Sequence, residues 1–150
     1  MIIRPCLASD AAAIETMFGE FVAELRAIGD TTPYRFSAAQ YLRDGFGDDP
    51  AFRGLIAEDE ASAAGYLLFS KTYEDDYVRG LHMVDLFVRP AARGTGVARM
   101  LMAAVADIAR AEGAVRLTWS VYKGNDRARR FYERLGATTE RDADVMSIEL

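Results

Sequence analysis

The run Leu86-Phe87-Val88-Arg89-Pro90-Ala91-Ala92-Arg93-Gly94-Thr95-Gly96-Val97-Ala98 changes character twice along its length. It begins inside an apolar segment, Leu81–Val88, that reads as a strand. Pro90 ends that strand because proline has no backbone N–H to give a sheet ladder. From about Thr95 to Glu112 the pattern becomes helical, with Val97, Met100, Leu101, Ala104, Val105 and Ile108 on one stripe and Gly113 as the stop. Strand, proline, glycine loop and helix in this order have a physical use. Glycines let backbone N–H groups turn inward with no Cβ in the way. The free N–H groups of the helix's first turn, at its positive dipole end, then form an anion site. Arg93 adds a charged fork at the edge. The segment Arg93, Gly94, Thr95, Gly96, Val97, Ala98 and Arg99 is therefore a candidate cradle for a pyrophosphate. Alone, the glycine pair fits a tight turn that binds nothing equally well. Two rival phosphate motifs are excluded: no Gly-Lys-Ser/Thr occurs, and G-x-G-x-x-G would need glycine where Arg99 stands.

Outward from this stretch, the chain reads as one domain of alternating helices and strands. Ile2–Pro5 is a short opening strand. Ser9 and Asp10 are cap-type residues ahead of Ile14, Met17, Phe18, Phe21, Val22 and Leu25, which recur at three and four and form one helix face. Ser37-Ala38-Ala39-Gln40 has capping-box spacing and starts a second helix through Tyr41 and Leu42. Strands are predicted at Gly54–Ala57, Ala63–Ser70, Leu81–Val88, Val115–Val121 and Val145–Leu150. Asn125 caps a last helix that ends at Leu135, with Gly136 just beyond. The expected architecture is α/β (α+β), with a mixed, mostly antiparallel sheet.

Composition narrows the function. The chain has 150 residues, 51% hydrophobic and 27% charged, an ordinary globular balance. No apolar run approaches the roughly 20 residues that cross a bilayer, so no membrane is expected as a partner. The opening Met-Ile-Ile-Arg-Pro lacks the features of a signal peptide. Cys6 is the single cysteine, which excludes an intrachain disulfide and suits a cytoplasmic protein. A net charge of -5 argues against nucleic acid, which is bound by neutralising phosphates. The run Glu74-Asp75-Asp76 is either a solvated hairpin tip or a lip that favours amines.

The quoted run resembles the first signature of GNAT acetyltransferases. The second signature is matched by Asn125 followed by Tyr132 within Arg130-Phe131-Tyr132-Glu133-Arg134-Leu135-Gly136-Ala137, in the family's order and separation. Asp44-Gly45-Phe46-Gly47, Leu55-Ile56-Ala57-Glu58, Gly65-Tyr66 and Asp85-Leu86-Phe87-Val88 look like the equivalent stretches of the diamine (spermidine/spermine) N-acetyltransferase branch. The likeness reaches from about Glu24 to Ala137. It implies a GNAT fold, a sheet flanked by about four helices, acetyl-CoA as cosubstrate with no metal, and a homodimer paired through C-terminal strands. The departures fall on the acceptor side. Where polyamine enzymes carry Glu-Asp, this chain has Val84-Asp85, and where they place Tyr-Glu after the first helix it has Ile28 and Gly29. These four are the candidate substrate-binding positions.

The resemblance also implies roles. The pantetheine arm runs along the backbone of Leu86, Phe87 and Val88, where an N–H polarises the thioester carbonyl. Asn125, Ala128 and Tyr132 contact the cofactor, and Tyr132 protonates the leaving thiolate. A base must also deprotonate the amine. In regular alternation His82, Val84 and Leu86 share one strand face and Asp85 takes the other. His82, the sole histidine, is a candidate base because histidine changes charge near neutral pH. Three functions stay open: an N-acetyltransferase of small primary amines, a protein N-terminal or lysine acetyltransferase, and a non-catalytic acyl-CoA-binding domain.

Overall fold

The computed structural model describes residues 1–140 and 143–150. The chain divides into two compact units, Met1–Ser120 and Val121–Leu150. The first unit holds a five-stranded sheet in the order β1-β2-β3-β4-β5. Its strands are β1 (Ile2–Pro5), β2 (Arg53–Glu58), β3 (Ala63–Tyr73), β4 (Arg79–Val88) and β5 (Arg116–Thr118). The first four pair antiparallel in sequence order, and β5 joins β4 in parallel. Three helices accompany them: α1 (Ala11–Ala27), α2 (Ala38–Gly45) and α3 (Val97–Ala111). The second unit contains α4 (Asp126–Arg134). Four helices and a mixed, mostly antiparallel sheet match the expected fold class.

The two sheet faces are sorted by side-chain alternation. Ile56, Tyr66, Leu68 and Phe87 lie on one face and pack with Ile14 and Met17 of α1 and Tyr41 of α2. Leu67, Phe69, Leu81 and Met83, also buried, take the other face, against which α3 lies with Val97, Leu101 and Val105. Full burial of side chains such as Ile14 or Leu101 is worth about 1.5–3 kcal/mol each. Ser37 caps α2 as its spacing predicts, its Oγ accepting from the Gln40 N–H at 3.2 Å. Asp10, in contrast, does not cap α1. Its carboxylate accepts the Arg4 guanidinium at 2.8 and 2.9 Å and the Leu7 N–H at 2.7 Å, because a nearby cation outbids helix donors.

Three expectations are corrected. The strand over 115–121 is only Arg116–Thr118, because β5 leaves β4 after the pair His82 and Thr118. Residues 145–150 form no strand, and Val145, Met146, Ile148 and Leu150 are exposed. An alternating pattern supplies a face, but a strand also needs a neighbour to pair with. The third correction concerns β4. Leu68 pairs with Asp85 and Phe69 with Met83, so Val84 is an extra residue in a β-bulge. The bulge resets the alternation. Asp85 therefore shares a face with His82, opposite Leu68 and Ser70, whereas Leu86 moves to the face of Met83.

Candidate active site

The glycine loop is built as its sequence suggests. After β4, Pro90–Ala92 make one 3-10 turn, Arg93 is extended, and Gly94 and Gly96 adopt φ of 77° and 92°. Side chains rarely take that left-handed region, so these two positions need glycine. An added Cβ at either would meet nothing within 4 Å. The cradle thus opens outward. No side chain caps α3 at Gly96, and its first turn contains no acid. The N–H groups there are left to an anion, and the residues present fit a pyrophosphate. Thr95 turns its hydroxyl inward, donating to the Ala92 carbonyl at 2.6 Å, and Arg99 is exposed.

Arg93 sits differently from the free fork that the sequence suggests. Its Nε donates to the Val88 carbonyl at 2.9 Å, and one terminal nitrogen holds both Glu24 oxygens at 2.7 and 2.9 Å. One loop earlier, Arg89 grips both oxygens of Glu20 and donates to the Ala63 carbonyl at 2.9 Å. Glu20 and Glu24 stand one turn apart on α1, as Arg89 and Arg93 stand either side of the 3-10 turn. The helix and the root of the loop are tied at two points.

Beside the loop, β4 has an open edge. Its pairing with β5 covers only Gly80, Leu81 and His82, so, among the described residues, 84–88 pair with no strand on that side. Backbone donors and acceptors left there can take an extended ligand as an added strand. Leu86, Phe87 and Val88, the predicted pantetheine contacts, belong to this stretch.

The acceptor-side candidates fall at two places. Ile28 and Gly29 end α1: Gly29 has φ of 98°, its N–H donates to the Arg26 carbonyl at 3.1 Å, and the Asp30 N–H donates to that of Leu25 at 3.0 Å. This is a Schellman cap, which accounts for the glycine. Asp30, which the sequence reading missed, is buried and organises the chain that follows. Its carboxylate accepts the Thr32 N–H at 2.8 Å, the Thr32 hydroxyl at 2.6 Å and the Tyr34 hydroxyl at 2.5 Å. These bonds, the Thr32 hydroxyl foremost, hold the carboxyl below the usual range. An aspartate two residues before a threonine is an Asx-turn signal that could have revealed it.

The second place is β4. Val84 is 57% exposed on the bulge. The His82 ring lies 3.2 Å from the Thr118 hydroxyl through Nδ1. Asp85 accepts a short hydrogen bond from the hydroxyl of Tyr66, which is wholly buried. Burial pushes the Asp85 carboxyl up to about 7, against the Tyr66 hydroxyl and the Leu86 N–H, which both favour its charged form. Burial, and then the Asp85 charge, raise the Tyr66 phenol well above its usual value. Tyr66 also escaped the sequence reading, since an aromatic on an apolar strand reads as core. At the acidic tip, both Asp76 oxygens pair with Arg116 of β5, at 2.8 and 2.7 Å.

In the second unit, Asn125 caps α4 through Oδ1, which accepts the Ala128 N–H at 3.2 Å. Gly136 has φ of 90° just past the helix end. The ring of Tyr132 lies edge-on to Phe131, with centroids 5.3 Å apart.

The acetyltransferase (GNAT) family model matches residues 16–137. The chain belongs to that family. It is 28% identical over 152 residues to the thialysine N-epsilon-acetyltransferase of Bos taurus, covering 96% of this chain and 88% of that protein. It is 31% identical over 137 residues to YhfO, an uncharacterized N-acetyltransferase of Bacillus subtilis, covering 91% and 89% of the two. The solved structure of a BH1408 variant from Bacillus halodurans superposes with a TM-score of 0.81 at 21% identity, over 100% of this chain and 99% of that one. That likeness shows the fold. Among the described residues no acid, histidine and cysteine cluster could hold a metal, and no helix is long and apolar enough to cross a membrane.

Proposed function

We propose that this GNAT protein transfers acetyl from acetyl-CoA to a primary amine of a small molecule, directly and without a covalent acetyl-enzyme. One observation carries the reading. The strand edge left open beyond His82 and Thr118 leads straight into the uncapped start of α3. An extended arm ending in a pyrophosphate needs such a track, with strand-like backbone first and inward N–H groups at its end. Acetyl-CoA supplies the activated acetyl thioester. Residues 93–99 take the pyrophosphate through backbone N–H groups, Arg93 setting the loop from its root. The backbone at Leu86, Phe87 and Val88 orders the arm and presents a donor to the thioester oxygen. Tyr132 gives its phenolic proton to the departing thiolate, and Asn125 and Ala128 contact the cofactor.

A small acceptor is supported by the thialysine N-epsilon-acetyltransferase relative, which matches along nearly the whole chain. Polyamines are poorly served, because Ile28, Gly29 and Val84 bring no carboxylate to a long polycation. The protein works in the cytoplasm, consistent with its one cysteine, the buried Cys6. It acts without nucleic acid and forms a homodimer that covers the apolar side chains of 145–150. Incubation with acetyl-CoA and a panel of amines, read as free thiol, tests the assignment. Thiol release with thialysine or lysine and little with spermidine is expected. No thiol release with any amine would favour a non-catalytic acyl-CoA-binding domain, and release only with peptides a protein acetyltransferase.

A further inference from the structure

A primary amine arrives as an ammonium at neutral pH and must lose a proton before it can attack. The bulge at Val84 changes what the neighbouring residue can do. In an unbroken strand Asp85 would point to the α3 side with Met83. The extra residue instead turns it to the face of α1 and α2, where His82 also lies. Asp85 is only partly buried there, and it sits at the start of the edge that β5 leaves open. His82 lies further back, where β5 still pairs, its Nδ1 against Thr118.

We propose that Asp85, turned by the bulge and gripped by the Tyr66 hydroxyl beside the open edge of β4, takes the proton from the acceptor ammonium. The proposal rests on the acetyl-transfer reading above. In the step, the ammonium loses one proton to the Asp85 carboxylate, directly or across one water. The freed nitrogen lone pair forms the N–C bond to the acetyl carbon, and the C–S bond breaks with its electron pair on sulfur. The thiolate takes the phenolic proton of Tyr132, the nitrogen's second proton restores that phenol, and Asp85 returns the first to solvent. Tyr66 is a positioning residue: its hydrogen bond fixes the carboxyl and favours the charged form.

The environment suits the task. A carboxyl near 7 stays available as a base at neutral pH yet holds a proton better than an exposed aspartate. The titratable groups around it are Tyr66 on β3, Cys6 after β1, Tyr34 between α1 and α2, and His82 on its own strand. Burial pushes the Cys6 thiol up to about 12, so it stays neutral. The Tyr34 phenol, raised first by burial and by the Asp30 hydrogen bond, also feels the Asp85 charge weakly. On α1, Glu20 and Glu24 are taken by Arg89 and Arg93.

The test is a kcat/KM profile against pH with thialysine and acetyl-CoA for wild type, Asp85→Asn, Tyr66→Phe and His82→Gln. Wild type should lose activity as pH falls below about 7. Asp85→Asn should lose about 10²-fold or more in kcat and flatten that limb, with CoA affinity kept as the check on folding. Tyr66→Phe should move the limb to higher pH, which a packing role alone would not do. His82→Gln should leave the limb in place. A limb that survives Asp85→Asn, or that vanishes in His82→Gln, overturns the assignment. Carboxyl-carbon NMR titration of Asp85 in the free protein reads the same group without turnover, and a midpoint near 4 overturns it too. Wild type that releases no thiol with any amine sinks the acetyl-transfer reading itself.

Discussion

Replacing Gly96 by alanine separates the two duties of the glycine loop. Gly96 holds φ of 92°, and a Cβ there meets no atom within 4 Å. The penalty is therefore conformational, about 1–2 kcal/mol for a left-handed non-glycine residue. For a chain of this length each kcal/mol moves Tm by roughly 2–4 °C, so Gly96→Ala should lower Tm by about 2–8 °C. Gly113, at the other end of α3, makes a matched control, with φ of 79° and equally open space. Gly113→Ala should lower Tm by a similar amount. CoA binding distinguishes them. If the chain relaxes at Gly96 to escape the strain, the first N–H groups of α3 swing away from the anion. Losing one charge-assisted hydrogen bond of about 1.5–3 kcal/mol weakens Kd by roughly ten- to a hundred-fold. Gly113→Ala should leave Kd unchanged. Differential scanning fluorimetry and isothermal titration with CoA measure both quantities. Equal CoA affinities in the two variants would refute the idea that this loop's backbone holds the pyrophosphate.

Tyr132→Phe should reduce turnover by about 10²–10⁴-fold with little change in CoA affinity, and unchanged turnover in a thiol-release assay would remove it from the mechanism. Glu24→Gln frees Arg93 and removes a negative charge from the root of the cradle, so CoA should bind roughly two- to five-fold more tightly, about 0.5–1 kcal/mol. Weaker binding by titration calorimetry would mean that the brace matters more than the charge. Asp85 also makes a stability prediction. Its folded carboxyl titrates near 7 against 3.8 when exposed, so as pH rises the unfolded chain releases this proton first. The contribution is fully present below about 4 and is lost as pH passes through 7. Asp85→Asn should therefore gain Tm over wild type on going from pH 5 to pH 8, and a constant difference would show that the carboxyl is not raised.

The glycine loop, all four helices and the places of the first four strands along the chain were legible because they rest on local signals. Ser37 with Gln40, Gly113, and Asn125 with Gly136 are caps whose chemistry acts within a turn or two. What escaped depends on distant partners. Nothing near Val84 in sequence announces a bulge, which exists only in the register of β4 against β3, and so the faces of Asp85 and Leu86 were expected the wrong way round. Arg93 read as a free fork because its partner Glu24 is 69 residues away. β5 was expected longer because its apolar pattern continues to Val121 while its pairing stops at Thr118. Asp30 is the exception, a local signal that went unread.

The double tie of Glu20 and Glu24 to Arg89 and Arg93 has an engineering meaning. It locks α1 to the glycine loop, and the segment proposed for the acceptor begins where α1 ends, at the Gly29 cap. The segment 30–36 spans that anchor and the Ser37 cap, its shape held by Asp30 with Thr32 and Tyr34 and by Phe36 against the core. Under the proposed function, substitutions at the exposed Thr31 and Pro33 would redirect acceptor choice while the glycine loop keeps its frame, provided Gly29, Asp30, Thr32, Tyr34 and both arginine–glutamate pairs are retained.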